Sequence, residues 1–145
     1  MTDEINSAMM QLKVLTPDKN VLDSAINTMR VLLPDGWWGI LPGHAPMISY
    51  IHSGIVHYTI HENKRFIALY RGTIEVKKTP FESTQVLILT AAAEEGNDLV
   101  AVQTSLDQQA AKLVASAKEA DREFNQIRLA LERSIQEADI SGIGV

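Results

Sequence analysis

The stretch "GWWGILPGHAP", residues Gly36–Pro46, sets the chain's only two tryptophans side by side and then packs glycines and prolines around a histidine. Each residue type constrains the backbone. Gly36, Gly39 and Gly43 allow positive φ or close approach of another backbone. Pro42 and Pro46 fix φ and remove two N–H donors, so the segment resists pairing as a central strand. A stiff corner is predicted. Adjacent residues of an extended chain point to opposite sides, so one of Trp37 and Trp38 is expected to enter a core. The other is then left at the surface, where an exposed indole anchors interfaces.

On both sides of this corner the sequence reads as strands. "MQLKVLT" (Met10–Thr16) alternates, with Met10, Leu12, Val14 and Thr16 on one face. Pro17–Asn20 has turn chemistry. "SAINTMRVLL" (Ser24–Leu33) holds the next strand, closed by Pro34-Asp35-Gly36. "PMISYI" follows His44, and "GIVHYTIHE" places Val56, Tyr58 and Ile60 on one face. Asn63 and Lys64 are expected to make a tight connection to "RFIALYRG", "TIEVKKT" and "TQVLILTAA". About eight or nine short strands with a turn signal every 8–12 residues or so predict an all-β sandwich or barrel.

Near Asn97 the chemistry changes. Gly and Pro vanish until Gly142, while Ala, Glu, Gln, Lys and Leu take over. Leu106, Ala110, Leu113, Val114 and Ala117 form one apolar stripe at helical spacing; Phe124, Ile127, Leu131 and Ile135 form a second. Ser105 or Asp107 is the expected cap. Two antiparallel helices with a tight turn at "KEADREF" are preferred over one long bent helix, because a neighbouring helix would cover each narrow stripe. The reading is an all-β sandwich followed by an α-helical hairpin: residues 1–96, then residues 97–145.

Composition narrows the function. The chain has 145 residues, 46% apolar and 21% charged, with a formal net charge of -5. That balance disfavours nucleic acid, whose phosphates call for clustered Lys and Arg. Cysteine is absent, which removes disulfide, thiol and thiolate-metal chemistry. His57 and His61 share a strand face but stand roughly 13 Å apart by strand rise, too far for one ion, so no metal site is expected among His52, His57 and His61. No Walker string, G-x-S-x-G or H-E-x-x-H occurs, and the carboxylates are scattered, with Glu94 and Glu95 expected to face solvent. No catalytic residue is proposed. "MTDEINSAMM" has too little apolar length for a signal or transit peptide.

"Gly-Trp-Trp-Gly-Ile-Leu-Pro-Gly-His-Ala-Pro" resembles the G-x-x-G-I-x-P-G-H-x-P signature of the epsilon subunit family of F-type ATP synthases, whose mitochondrial counterpart is called delta. "LKVLTPDKNVLDSAI", "GTIEVKKTPFESTQVLILTAAAEEGNDL" and "LDQQAAKLVASAKEADREFNQIRLALERSIQ" extend the likeness over nearly the whole chain. The resemblance implies a non-catalytic central-stalk component. Its β-sandwich would bind the gamma subunit and sit on the membrane c-ring through Trp37, Trp38, Ile40, Leu41, Pro42, Gly43 and His44. Its helices would inhibit ATP hydrolysis by meeting the beta and alpha subunits with Arg122, Arg128 and Arg133. His44 serves equally well as a lock on its own turn. The family commonly has a polar or acidic residue where Trp37 stands, so an apolar contact is implied in place of a charged one. The implied location is peripheral, on the cytoplasmic face of a bacterial inner membrane or a plastid thylakoid. Some members bind ATP through an I/L-D-x-x-R-A string. Here Leu106 and Asp107 match, but Ala110 takes the arginine position, and Arg133 is followed by Glu137 in place of a second arginine. Each missing charge-assisted bond forfeits about 1.5–3 kcal/mol, so Leu106, Asp107 and Arg133 are left as a weak nucleotide site at most, ATP binding is expected to be weak or absent, and no cofactor is expected. The rival reading is a free-standing β-sandwich adaptor whose helical hairpin binds a partner.

Overall fold

A computed structural model describes residues 8–143. Among the described residues seven strands come first: β1 (Met10–Leu15), β2 (Asn20–Ile26), β3 (Thr28–Leu33), β4 (Gly36–Ile40), β5 (Met47–Ile60), β6 (Asn63–Lys78) and β7 (Thr84–Gly96). One helix, α1 (Leu99–Ile143), follows. The strands form one hydrogen-bonded ladder in the order β2-β1-β7-β6-β5-β3-β4. Only β1 and β7 run parallel. The alternation read from β1 holds, with Met10, Leu12 and Val14 all buried.

The ladder folds over on itself. Buried residues of β1 and of β3, near opposite ends of the strand order, belong to one core. A crease in the three longest strands explains how. In β6, Ile67 and Leu69 face the core on one side of the crease and Ile74 and Val76 on the other, so the two-residue alternation reverses. The same reversal separates Ile51 from Val56 in β5 and Ile88 from Ala93 in β7. Register is unbroken, running from Phe66↔Gly96 through Tyr70↔Ala92 and Gly72↔Thr90 to Lys78↔Thr84. No residue is inserted. Arg71 instead takes a left-handed backbone, φ 56°, which turns the following residue over. Beside it Gly72 is obligatory, since a Cβ there would lie 2.3 Å from the Leu89 carbonyl oxygen. The Thr90 hydroxyl sits 2.5–3.1 Å from the carbonyls of Arg71, Ala92 and Tyr70 and donates where the ladder is interrupted. Several expected short strands are therefore the halves of creased long ones.

Other expectations shift for local reasons. "SAINTMRVLL" is divided at Asn27, whose N–H donates to the Thr59 carbonyl (2.8 Å) and whose side chain donates to the Ala8 carbonyl (2.9 Å). The β5–β6 turn falls at His61-Glu62, two residues before the expected Asn63-Lys64, with His61 at φ 56°. The Pro17–Asn20 turn forms as read, closed by Thr16 N–H to the Lys19 carbonyl at 3.0 Å.

The sandwich-then-helical order stands, but a single helix replaces the expected hairpin. Lys118–Phe124 stays helical because strong helix formers fill it and nothing breaks it. Asp98, not Ser105 or Asp107, caps the start, accepting from Val100 N–H (3.1 Å) and Ala101 N–H (3.4 Å). The chain divides into two compact units, the first ending at Gln109 and the second beginning at Ala110. In the first, Val102 and Leu106 are buried against Ala68 and Ala92, with Ile55, Phe66, Tyr70 and Leu99 around them. In the second, Leu113, Phe124, Ile127, Leu131 and Ile135 are all exposed.

Candidate docking corner

Among the described residues β4 lies at one end of the ladder and pairs on one side only, with β3. Trp37 and Trp38 do point to opposite faces, but neither enters the core: 49% and 36% of their surface is exposed. Trp38 lies opposite buried Val31, yet no further strand among the described residues covers it. Its Nε1–H donates to Asp35 Oδ1 at 2.8 Å, and its ring lies 6.3 Å from that of His44. Trp37 stands edge-on to His57 at 5.5 Å, with the Arg30 guanidinium 5.3 Å over its ring. His57 in turn meets Phe66 at 5.1 Å. Burial, helped by the charges of Arg30 and Lys64, holds His57 below its ordinary pKa.

Ile40 is fully buried and roots the corner. The next four residues make a turn, with His44 N–H donating to the Leu41 carbonyl at 3.0 Å. Pro42 takes the position whose φ it pre-sets, and Gly43, at φ 92°, takes the position that demands a left-handed residue. The Gly43 N–H donates to Thr84 Oγ1 (2.7 Å) at the start of β7, tying the turn to the next hairpin. His44 Nδ1 lies 2.7 Å from the Ala45 carbonyl, so the tautomer protonated there locks its own turn. Leu41 is left 55% exposed at the tip.

The helical candidates are spread over both units. Leu106 is buried in the first unit, where Asp107 is exposed. Arg122, Arg128, Arg133 and Glu137 are exposed in the second. Arg128 pairs with Glu132 at 3.5 Å, as its spacing predicts, and Arg122 with Glu119 at 3.8 Å.

Two features escaped the sequence reading. Glu95 does not face open solvent: Tyr58 Oη donates to its Oε1 (2.5 Å), Arg65 Nη2 donates to its Oε2 (3.1 Å), and Arg65 Nε also reaches Oε1. Burial alone would raise the Glu95 pKa, but the bonds from Arg65 and Tyr58 outweigh it and hold the carboxyl below its ordinary range. Glu94 accepts from Gln109 at the end of the first unit's share of α1. The second feature is Phe81, 90% exposed at the tip of the β6–β7 hairpin. An aromatic inside the short "TPFES" turn, beside a proline and among Thr, Glu and Ser, was the available signal.

A β-sandwich with a Pro-Gly corner at its open edge, followed by a long C-terminal helix, defines the class. The family described as "ATP synthase, Delta/Epsilon chain, beta-sandwich domain" matches residues 9–96. The chain belongs to this family, as the Gly36–Pro46 string implied. The ATP synthase epsilon chain of Prochlorococcus marinus (strain MIT 9301) is 32% identical over 90% of this chain and 92% of its own length. That of Syntrophobacter fumaroxidans is 28% identical over 87% and 90%, respectively. Among solved structures, a chain of the Euglena gracilis mitochondrial ATP synthase (OSCP/F1/c-ring) superposes with a TM-score of 0.55 at 20% identity. It covers 72% of this chain and 66% of that one, and shows the likeness of fold.

Proposed function

We propose that the chain acts as the epsilon subunit of a rotary F-type ATP synthase, a non-catalytic central-stalk component joining the gamma subunit to the c-ring. The observation that carries this reading is the corner at Gly36–Pro46. It is stiff, exposed and carries the family's string on an open sheet edge. In this reading residues 1–96 bind gamma and the ring. Trp37, Trp38, Leu41 and His44 make contact, while Ile40, Pro42 and Gly43 fix the shape. Residues 97–145 regulate, with Arg122, Arg128 and Arg133 facing the alpha and beta subunits. The protein works peripherally on the cytoplasmic face of the membrane, or on a thylakoid. No helix among the described residues is long and apolar enough to cross a bilayer.

The corner is tested by Trp38→Ala with Leu41→Asp. Co-purification with gamma and the c-ring is expected to fall, while the isolated chain keeps its fold because both side chains are substantially exposed. Undiminished recovery with the ring would overturn the reading. Regulation is tested separately by deleting residues after Gln109, which keeps Val102 and Leu106 in the first unit and removes Arg122, Arg128 and Arg133. Hydrolysis by the assembled enzyme should rise; an unchanged rate counts against an inhibitory helix. ATP binding at Leu106, Asp107 and Arg133 is expected to be weak or absent, and micromolar affinity by calorimetry would overturn that expectation.

A further inference from the structure

In the second unit the helix is uncovered. Every side chain over residues 111–137 is exposed, Phe124 at 66% and Leu131 at 59% among them. A helix gains most of its stability in a protein by burying an apolar face, and this one has such a face to bury. The two stripes visible in the sequence lie on either side of Lys118–Phe124. Because the helix runs through that segment unbroken, they fall on one side: Leu113 and Leu131 are about five whole turns apart. Ala110, Ala117, Phe124 and Leu131 follow one another at seven-residue intervals. Leu113, Ala120, Ile127 and Ser134 do the same between them. A seam that advances in steps of three and four residues is the pattern of a helix seated against another helix.

The seam is thin in its first half and thick in its second, and that unevenness selects the partner. Set antiparallel against a copy of itself, with a two-fold axis midway between Ala120 and Phe124, it becomes even. Leu113 then faces the partner's Leu131, Ala117 faces Ile127 and Ala120 faces Phe124, so small side chains meet large ones layer by layer. Parallel alignment would stack alanine on alanine in two successive layers and then force Phe124 against Phe124. One flank of the seam carries Val114, Asp121, Arg128 and Ile135. Antiparallel copies bring Val114 near Ile135 and Asp121 near Arg128, an apolar pair and an ionic pair. The other flank brings Glu123 near its own copy across the axis, whereas parallel copies would set it near Arg128. A single exposed charge contact is worth little beside several layers of packing, so size complementarity decides the orientation.

We propose that residues 110–137 pair with the same segment of a second copy of this chain, as an antiparallel two-stranded coiled coil. Its interface is isologous, the same face on both copies. The inference concerns the free chain and rests on neither the docking corner nor a rotor. In an assembled enzyme the pair would have to separate before Arg122 and Arg128 faced other subunits, so self-pairing and regulation compete for one helix.

The test uses the full chain. Sedimentation equilibrium is expected to show a concentration-dependent dimer. Leu131→Glu, which keeps a good helix former at that position, should weaken it about tenfold or more by loss of apolar burial. Leu131 is exposed in the second unit, so an unchanged melting point of the first unit certifies the fold of the variant. The chain has no cysteine, so introduced thiols report the orientation cleanly. Ala110→Cys and Ser134→Cys should each stay unlinked when oxidised alone and form a disulfide-linked dimer when mixed. Along one straight helix these positions are about 36 Å apart, too far for a bond within a chain. A chain that remains monomeric to about 0.1 mM overturns the proposal, as does a dimer indifferent to Leu131→Glu. So do disulfide dimers of either single variant, the mark of parallel pairing. An intrachain disulfide in the double variant, the mark of a helix folded back on itself, overturns it as well.

Discussion

At Glu95 a strand-end carboxylate became a structural joint. Arg65 grips it through two nitrogens, and Tyr58 Oη completes the shell. Glu95→Gln should cost about 1–2 kcal/mol by urea unfolding at pH 7, at the low end because the Arg65 side chain is 35% exposed. Since the Glu95 pKa is lower in the fold than in the unfolded chain, its contribution is complete above the ordinary glutamate value near 4.3. It fades as pH falls through the folded value, so wild type and variant should converge in acid. Arg71 offers the opposite case. A non-glycine residue held at φ 56° pays a backbone penalty, so Arg71→Gly should raise stability by about 0.5–1 kcal/mol after the loss of its 5.5 Å stacking over Tyr70. Gly72→Ala should fail badly, by about 3 kcal/mol or more, because its methyl group would strike backbone.

Elements were legible in the sequence where periodicity was local, and obscure where it depended on distant strands. β1 could be read from its alternation alone, and the corner from its Gly and Pro positions. The creases could not. Nothing in "ALYRGTIE" announces that Arg71 turns left-handed and that both flanking runs are one strand, since the cause lies in Leu89 and Thr90 across the ladder. Trp38 was expected to divide the work with Trp37, one buried and one exposed. Which strand sits at the edge is a property of the sheet order, which no local pattern carries. The long helix overruled the hairpin because propensity at Lys118–Phe124 is uninterrupted. Ala120→Pro should therefore lower helical circular dichroism and cost about 3 kcal/mol of helix stability. In a chain whose helix broke there already, the change would be nearly silent. The Glu95 joint was missed because Arg65 and Tyr58 lie on two other strands and meet it only through the paired register Tyr58↔Arg65.

For the molecule as a whole, the first three turns of α1 belong with the strands. Val102 and Leu106 are buried there, each worth about 1.5–3 kcal/mol. Cutting the chain after Gln109 should leave the melting point of the first unit close to its value in the full protein, whereas cutting after Gly96 should lower it markedly; scanning calorimetry of the two fragments decides. The creased ladder has a mechanical corollary. In a sandwich of two separate sheets, the faces are held by side-chain contacts and can slide or peel apart. Here β5, β6 and β7 run through both layers. A sideways load on one face is taken up by covalent chain and by backbone hydrogen bonds shared with the other. The body resists shear as a folded plate does, and a part seated between a turning shaft and its driving wheel would deliver twist with little give.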